Sequence, residues 1–420
     1  EKVTKSVPPP APKMEVASKV KMAFPLPDKP SIAVLPFVNV SGDPKEEYLS
    51  DGMTEQIINS LSNMPNLFVI ARNSTFVYKG KPVKIQKVAE DLGVRYVLEG
   101  GVQRSGNRLR ITAQLIDAIT GHHMWSEQYN RELKDIFALQ DEITMKIMGA
   151  MNVKLTGGEQ AHLWVKKGRT DNLKALEKHL QALAFRGGTK RDNDKARQLF
   201  EEAIALDPNY IFPYVGLGWG HLFDARFGWS ESPAKSIQMA FELAQKALAM
   251  DDSIDMAHSL LASIYLVMRQ HDKALSEAER AVALNPNGAY VIQILAGTVG
   301  CSGRWEESVL YVKKSMRLDP FPPTTYWLLG RAHYMTGQHD EAIVALRKAL
   351  QMSPDFLSAH IHLAECYSLM GRDAEAAAAT KEVLRINPKF SIESYAKTLP
   401  YKNKDDVERE VAALQKAGLK

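Results

Sequence analysis

The sequence predicts an α/β domain with a small mixed sheet, followed by an all-α solenoid built from repeated helix pairs. The solenoid is predicted because a short phrase containing proline returns at a fixed spacing, so that Pro286, Pro320, Pro354 and Pro388 recur at equal steps. The α/β domain is predicted because short apolar runs alternate with amphipathic helical patterns between residues 31 and 155. A junction over residues 156–173 separates the two parts.

The step between these prolines equals the period of about 34 residues that is typical of helix-turn-helix units of the tetratricopeptide (TPR) type. When each proline is counted as position 32, small residues occupy the two positions at which paired helices must approach closely. They are Ala184, Gly218, Ala262, Ala296, Gly330 and Ala364 at position 8, and Ala196, Ala240, Ala274, Ser308, Ala342 and Ala376 at position 20. Because stacked pairs bury an apolar face that one pair cannot bury alone, we predict six TPR-like pairs over residues 174–390 and capping helices over residues 391–420.

The unit that follows Pro208 departs from this period. Its expected terminal proline falls at Asp252, so the unit contains ten residues more than the others. The prediction places them in a loop near residues 227–236. The alternative to a solenoid is an ordinary helical bundle, which the regular step between the prolines disfavours.

Composition and charge exclude several classes of protein. The 420 residues are 45% hydrophobic and 24% charged with a net charge of +4, an ordinary balance for a folded domain. Residues 31–155 contain 14 Lys and Arg and 14 Asp and Glu, so their net charge is zero. The pattern shows no concentrated basic face of the kind that nucleic-acid-binding proteins carry, and we expect no nucleic-acid binding by this chain. The two cysteines, Cys301 and Cys366, are too few for a disulfide framework.

Residues 1–30 have the composition of an extended tether. They hold seven prolines and six lysines, and such a segment cannot bury apolar area. The sequence has no initiator methionine, no apolar signal core and no run long enough to span a bilayer. We therefore expect the chain to be a piece of a longer protein.

The α/β domain is predicted to have the element order βαβαβββα. Strands are expected at 32–37 and 67–72, and helices at 49–61 and 83–92, the second of which ends at Gly93. Two alternating runs joined by residues 105–107 indicate a hairpin. A strand at 122–131 and an amphipathic helix at 136–155 complete the domain.

Residues 31–155 resemble the TolB N-terminal-like domain. The resemblance rests on these segments: IAVLPF, YLSDGMTEQII, FVIARNSTFVYKGK, VAEDLGVRYVLEGGVQR, RITAQLIDAITGHHMWSEQYNR and DIFALQDEI. More particularly, they resemble the version of this domain in bacterial adenylate or guanylate cyclases that place it between a class III cyclase domain and TPR repeats, and LQKAGL at residues 414–419 is similar to how those proteins end. The same pair of domains also follows winged-helix modules in CadC-like regulators.

The resemblance implies a dimeric cyclase as the parent protein, but not a catalytic domain in this chain. Class III cyclases carry a metal-binding aspartate directly after the first strand, whereas IAVLPF is followed by Val38, Asn39 and Val40. Asp43, just before Pro44, is interpreted as a turn residue. We therefore expect no enzyme activity, no catalytic residues and no cofactor in this chain.

Three other patterns in the sequence resemble metal or phosphate sites only superficially. The segment GGTKRD at 187–192 lacks the first glycine and the lysine position of a phosphate loop, so it is predicted to be a loop between helices. His122 and His123 are adjacent in a strand and point to opposite faces. His360 and His362 face about 200° apart on a helix, so neither pair can chelate one ion, and no metal site is expected.

Binding is therefore predicted in the groove of the solenoid. TPR proteins line this groove through positions 2, 5, 9 and 12 of each first helix, and the candidate partner-binding residues are Tyr290, Gln293, Trp327, Arg331, Tyr334 and Glu365. Trp327, Arg331 and Tyr334 form a candidate hot spot, or alternatively pack between adjacent repeats. One arginine without a lysine cluster favours an apolar extended or helical peptide over an acidic tail.

The predicted function is a non-catalytic sensory and scaffolding region that binds a protein or peptide and regulates an upstream effector. By resemblance, that effector is a bacterial class III adenylate or guanylate cyclase. The alternatives are a free-standing envelope adaptor of the TolB or FlgO kind and the sensor half of a CadC-like regulator. The region is expected to be periplasmic or membrane-tethered if a transmembrane helix precedes it, and cytoplasmic otherwise.

Overall fold

A computed structural model describes residues 16–153, 168–185 and 189–420. The N-terminal part contains the predicted small mixed sheet, whose strands run in the order β3-β1-β4-β5-β6, with β2 paired beside β4. The β1–β3, β1–β4 and β2–β4 pairs are parallel, and the β4–β5 and β5–β6 pairs are antiparallel. The strands are β1 Ser31–Val34, β2 Val38–Asn39, β3 Phe68–Val69, β4 Tyr96–Ser105, β5 Arg108–Asp117 and β6 His122–Glu132.

Helices cover both faces of this sheet. They are α1 Glu47–Ser62, α2 Arg72–Phe76, α3 Ile85–Leu92 and α4 Ile136–Ala150. Because successive strand residues point to opposite faces, Ile32 and Val34 pack into the core beneath α1 and α4, whereas Ala33 packs into the core beneath α3. The α3 helix ends at Gly93, whose left-handed backbone (φ 62°) suits glycine.

Two short elements were not predicted from the sequence. The run predicted as a strand at 67–72 forms only the two-residue β3, and Arg72 begins α2. The chain leaves the sheet here because the N–H of Ala71 donates to the carbonyl of Leu318 in the solenoid, at 2.9 Å. The two-residue β2 likewise forms by pairing with β4. Both elements therefore depend on contacts distant in sequence.

The C-terminal part is a stack of helix pairs. Eleven of the twelve small residues predicted at positions 8 and 20 are buried, and the exception, Ala184, follows the end of α5. The pairs are α5 Leu173–Leu183 with α6 Lys190–Leu206, α7 Ile211–Arg226 with α8 Pro233–Met250, α9 Asp255–Val267 with α10 His271–Leu284, α11 Ala289–Cys301 with α12 Trp305–Leu318, α13 Pro323–Met335 with α14 His339–Met352, and α15 Leu357–Leu369 with α16 Asp373–Ile386.

The ten extra residues of the second pair are distributed over three places. Compared with the 13-residue α9, the 16-residue α7 is three residues longer. The loop between α7 and α8 is three residues longer than the loop between α9 and α10, and the 18-residue α8 exceeds the 14-residue α10 by four. Most of the insertion therefore lengthens helices, rather than the loop at 227–236 alone.

Residues 392–420 form what we term the C-terminal segment, which contains α17 Ile392–Thr398 and α18 Lys404–Lys416. The N–H of Ile392 donates to the carbonyl of Lys420 at 2.9 Å, so the two ends of the segment meet. Residues 1–15 of the predicted tether and residues 154–167 at the predicted junction lie outside the described residues. Within the described ranges, no helix combines the length and apolarity needed to cross a membrane.

The α/β domain packs along the edge of the solenoid that is formed by the turns between consecutive pairs. At one end of α1, a Cβ on Gly52 would lie 2.7 Å from Leu180 of the first pair. Beyond the other end of α1, the Asn287 side chain before the fourth pair donates to the carbonyls of Ser62 and Met64, at 3.3 and 2.7 Å. The α1 helix thus reaches from the first pair to the fourth.

Candidate functional site

The first helices of successive pairs lie side by side and form the inner face of the solenoid. The six sequence-predicted residues occur on three of these helices. Tyr290 and Gln293 are on α11, Trp327, Arg331 and Tyr334 are on α13, and Glu365 is on α15. Tyr290 is 40% exposed, whereas Tyr334 and Glu365 are buried. The inner face therefore has an open section and a closed section.

The closed section is covered by the C-terminal segment. The N–H of Lys402 donates to the carbonyl of Cys301 at 2.8 Å, and the hydroxyl of Ser368 donates to the carbonyl of Ala413 at 2.9 Å. The ring of Tyr401 packs edge-on against Trp305 at 5.5 Å. The segment thus lies against the fourth to sixth pairs and faces the predicted hot spot. A partner at that hot spot would have to displace the segment, and partner binding there stays a prediction.

Arg331 is at the centre of this closed section. Its guanidinium lies 5.1, 5.4 and 5.6 Å from the ring centroids of Trp305, Trp327 and Tyr401, and its Nη2 donates to Cys301 Sγ at 2.9 Å. Burial lowers the pKa of Arg331, but nearby acidic groups outweigh burial and hold that pKa above its usual range. Arg331 is therefore a permanent positive charge surrounded by aromatic rings.

Three ionisable side chains meet beside Arg331. His362 and Glu365 are one turn apart on α15, and Glu410 comes from α18. Burial lowers the pKa of His362 to about 4 and raises the pKa of Glu365 well above its usual value. Burial and the neighbouring Glu365 raise the pKa of Glu410 to about 7. Without a further partner, the histidine is therefore neutral at pH 7, and burial favours the protonated form of Glu365.

The open section carries a row of aromatic side chains, here called the aromatic row. Neighbouring ring centroids along it are 5.0 to 5.9 Å apart. Phe227 is 57% exposed, and Arg226 beside it is also exposed. The row consists of Tyr290, Trp219, Phe223, Phe227 and Trp229. Such a surface suits an apolar peptide, because aromatic rings supply large contact areas that lose little conformational entropy on binding.

Of the aromatic row, the sequence prediction contained only Tyr290. Trp219 occupies position 9 of the second pair, one of the groove positions, so the repeat numbering already carried a signal for it. Phe227 and Trp229 follow the end of the lengthened α7 and have no equivalent in a unit of regular length. The insertion thus places two further rings where the period could not predict them.

The other patterns singled out in the sequence have structural roles in the described residues. Asp43 accepts a hydrogen bond from the N–H of Lys45 at 2.9 Å and caps a short helical turn. Thr189 caps α6, and residues 186–188 before it lie outside the described ranges. His360 Nε2 donates to the carbonyl of Pro354 at 2.8 Å. His122 and His123 are exposed on β6.

Two family models match separate parts of the chain. Residues 303–399 match a model described as tetratricopeptide repeat, which confirms the repeats predicted from the proline spacing. Residues 28–146 match a model described as HilA/YgeH-like transcriptional regulator, second domain. The α/β domain therefore matches a HilA-like domain, where the sequence analysis expected a TolB N-terminal-like domain.

Relatives and solved structures are similar over part of the chain. A Rhizobium meliloti (strain 1021) protein named "Putative adenylate cyclase 3" is 45% identical over 252 residues, which is 59% of this chain and 42% of that protein. The chain therefore spans about two fifths of the length of this relative.

Among solved structures, TTC0263, a TPR protein of Thermus thermophilus, is 18% identical over 46% of this chain and 98% of its own, with a TM-score of 0.39. YrrB, described as a TPR protein with an unusual peptide-binding site, is 18% identical over 48% of this chain and 98% of its own, with a TM-score of 0.33. From the family match and the helix pairs together, this chain joins a mixed-sheet α/β domain to tetratricopeptide repeats.

Proposed function

We propose that this chain is the non-catalytic sensory and scaffolding region of a bacterial adenylate or guanylate cyclase-type protein. The observation that carries the proposal is the 45% identity to the protein named "Putative adenylate cyclase 3", more than half of which lies outside the span of this chain. The TPR repeats support a role in protein interaction. In this proposal, a protein or peptide binds the inner face and changes the output of a cyclase domain outside the chain.

The aromatic row is the surface at which we place the partner. Tyr290 and Phe227 in this row are 40% and 57% exposed, although Trp219 between them is buried, whereas the section around Arg331 and Tyr334 is covered by the C-terminal segment. Its rings and the exposed Arg226 favour an apolar peptide with a carbonyl or carboxylate at one end. The α/β domain packs against the same solenoid, so a change in the arrangement of the repeats would shift the position of this N-terminal domain.

The proposal is tested by measuring cyclic nucleotide formation by the longer protein that it requires. Phe227→Ala combined with Tyr290→Ala should change the rate at which that protein forms cyclic AMP or GMP, because both side chains belong to the partner surface. Leu310→Ala is the matched control, since this side chain is 67% exposed but lies on the second helix of its pair. The 420-residue chain alone should form no cyclic nucleotide.

Two results would count against this function. Equal rates for the double variant and the wild-type protein would remove the aromatic row from regulation. Conversion of ATP or GTP by the isolated chain would contradict its non-catalytic role.

Because class III cyclases work as dimers, the proposal also expects the longer protein to be dimeric in light scattering. Fractionation of source cells would establish whether this region is periplasmic or cytoplasmic.

A second candidate function is the sensor half of a transcription regulator of the CadC-like kind. It is favoured by the match of residues 28–146 to the second domain of HilA/YgeH-like transcriptional regulators. The coding sequence before Glu1 separates this candidate from the first, because it would encode a winged helix instead of a cyclase domain. A signal peptide there, with neither domain, would support a free-standing envelope adaptor.

A further inference from the structure

The cluster of His362, Glu365 and Glu410 has the form of a metal-binding site. Their side chains are only 1%, 0% and 0% exposed. One ligand atom from each residue lies within 4.8 Å of the others, and His362 Nδ1 is 3.2 Å from Glu365 Oε2. His362 and Glu365 project from one face of α15 because they are three residues apart. The third carboxylate comes from α18, across the inner face.

Several polar atoms of the cluster lack a partner. In the described part of the chain, both ring nitrogens of His362 and both carboxylate oxygens of Glu365 make no hydrogen bond. Glu410, by contrast, accepts hydrogen bonds from the hydroxyls of Tyr395, at 3.3 Å, and Tyr401. Burying a polar group without a hydrogen-bond partner destabilises the folded state, and more strongly when the group is charged. His362 Nδ1 and Glu365 Oε2 lie 3.2 Å apart without forming a hydrogen bond, and four buried polar atoms without a hydrogen bond in one place indicate a ligand.

A single proton cannot satisfy this arrangement. A proton on Glu365 would supply one donor, whereas the cluster offers lone pairs from a ring nitrogen and from two carboxylates. Arg331 and Arg409 are the positive charges that act on Glu365. The Nη2 of Arg331 is bonded to Cys301 and its guanidinium is stacked among aromatic rings, and Arg409 is paired with Asp406 at 3.1 Å. A divalent cation would accept a lone pair from each residue and balance both carboxylate charges.

We propose that His362, Glu365 and Glu410 bind a divalent transition-metal ion of the zinc class, which fastens α18 to the inner face of the solenoid. Metal–ligand bonds of about 2.0–2.2 Å place neighbouring tetrahedral donors about 3.4 Å apart, so rotation of the two glutamate side chains toward the fixed imidazole would bring the three donor atoms, now within 4.8 Å of one another, to coordination distance. One imidazole with two carboxylates suits a first-row transition metal better than calcium, which takes six to eight oxygen ligands. Water completes the coordination.

The aromatic surroundings hold the histidine in place for this role. The His362 ring lies between Trp327 and Tyr334, with both ring centroids 6.0 Å away and interplanar angles of 33° and 25°. Such packing restricts rotation of the imidazole, which reduces the entropy lost when it binds a metal. His360, the histidine two residues before His362, faces another direction and donates a hydrogen bond to the carbonyl of Pro354, so it takes no part in this cluster.

The test uses the full 420-residue chain, stripped with a chelator and titrated with Zn²⁺ in a calorimeter. We expect one equivalent to bind, and Co²⁺ to give a visible absorption band typical of mixed nitrogen and oxygen ligands. Glu365→Gln and Glu410→Gln keep the side-chain shape but should lower the affinity about 100-fold or more. His360→Gln is the matched control, because it removes a histidine from the same helix and should bind Zn²⁺ like the wild type.

The fastening of α18 is measured separately by limited proteolysis of residues 392–420. Zn²⁺ should slow cleavage in the wild-type chain and in His360→Gln, but not in Glu410→Gln. Circular dichroism establishes that each variant is folded before it is compared. The absence of stoichiometric binding, or wild-type affinity for Zn²⁺ in both glutamine variants, would overturn the site. Binding without protection of the segment would overturn the fastening.

Discussion

Asp319 is a carboxylate buried where the α/β domain meets the solenoid. The hydroxyl of Ser74 donates to its Oδ1 at 2.6 Å, and the side-chain amide of Asn73 donates to its Oδ2 at 3.1 Å. Desolvation nevertheless dominates over these hydrogen bonds and raises the pKa of Asp319 to about 6 from an ordinary value of 3.8. The folded chain therefore holds this proton more tightly than the unfolded chain does.

This pKa predicts that the contribution of Asp319 to stability falls as the pH rises from about 4 to 6. The folded state binds more protons than the unfolded state in this window, so the free energy of unfolding decreases, by on the order of 3 kcal/mol for a shift of this size. Asp319→Asn cannot titrate, so the variant should gain stability relative to wild type between about pH 4.5 and pH 7. Urea unfolding at the two pH values measures this difference.

Ser74→Ala is the control for the Asp319 experiment. It removes one hydrogen bond to the carboxylate but leaves the titratable group, so the decline with pH should persist. A stability difference between wild type and Asp319→Asn that is equal at both pH values would show that the carboxylate does not titrate at a raised pKa. In Asp319→Asn, the side-chain amide of Asn73 can rotate so that its oxygen accepts a hydrogen bond from the amide introduced at position 319.

At the scale of elements, the C-terminal segment protects Cys301. This thiol is 2% exposed, beneath the contact between Lys402 and the backbone of α11. Burial also raises the pKa of the Cys301 thiol, which keeps it protonated. Its reaction with a thiol reagent therefore reports how often the segment leaves the inner face.

Tyr401→Ala should increase the rate at which Cys301 reacts. The substitution removes a buried ring that packs on Trp305 and costs about 2–4 kcal/mol, which raises the open population about 30-fold or more. The measurement is made in a Cys366→Ser background, so that one thiol reports. Leu310→Ala in the same background should react like its parent, and an unchanged rate for Tyr401→Ala would contradict the protective role.

The sequence predicted the elements whose patterns are local and long. The proline period and the small residues at positions 8 and 20 determined the helix pairs, and Arg331 and Glu365 were correctly assigned to first helices. The sequence could not show that the C-terminal segment covers these two residues. The segment is held there by contacts such as the one between Lys402 and Cys301, which are separated in the chain by about the length of three helix pairs. The short β2 and α2 were missed for a similar reason, since each depends on a partner distant in sequence.

At the scale of the whole molecule, Arg317 connects the two parts of the chain. Its guanidinium donates to the carbonyls of Leu92, Gly93 and Pro25, at 3.0, 2.7 and 3.1 Å, and lies 4.4 Å from the ring centroid of Phe68. Burial lowers the pKa of Arg317 to about 10, so it remains charged at neutral pH. One solenoid side chain thus satisfies three carbonyls of the N-terminal part.

Arg317→Ala should separate the unfolding of the α/β domain from that of the solenoid. Each partly buried carbonyl left without a donor costs about 1–3 kcal/mol, which weakens the interface more than either core. Scanning calorimetry should then show two transitions, or one broadened transition, where the wild type shows one. Lys313→Ala, on the exposed face of the same helix, is the control and should unfold like the wild type. A sharp single transition for Arg317→Ala would contradict this coupling.

The position of α1 has a mechanical consequence. A solenoid of stacked repeats is a spring, because small rotations between neighbouring repeats add up along its length. Here α1 touches the first pair through Gly52 and the turn before the fourth pair through Asn287. Because α1 contacts both places, it restrains the curvature of the first four repeats. A ligand that increases or decreases this curvature must therefore strain the contacts of α1. By thermodynamic reciprocity, a change in the position of the α/β domain must alter the affinity of the solenoid for that ligand.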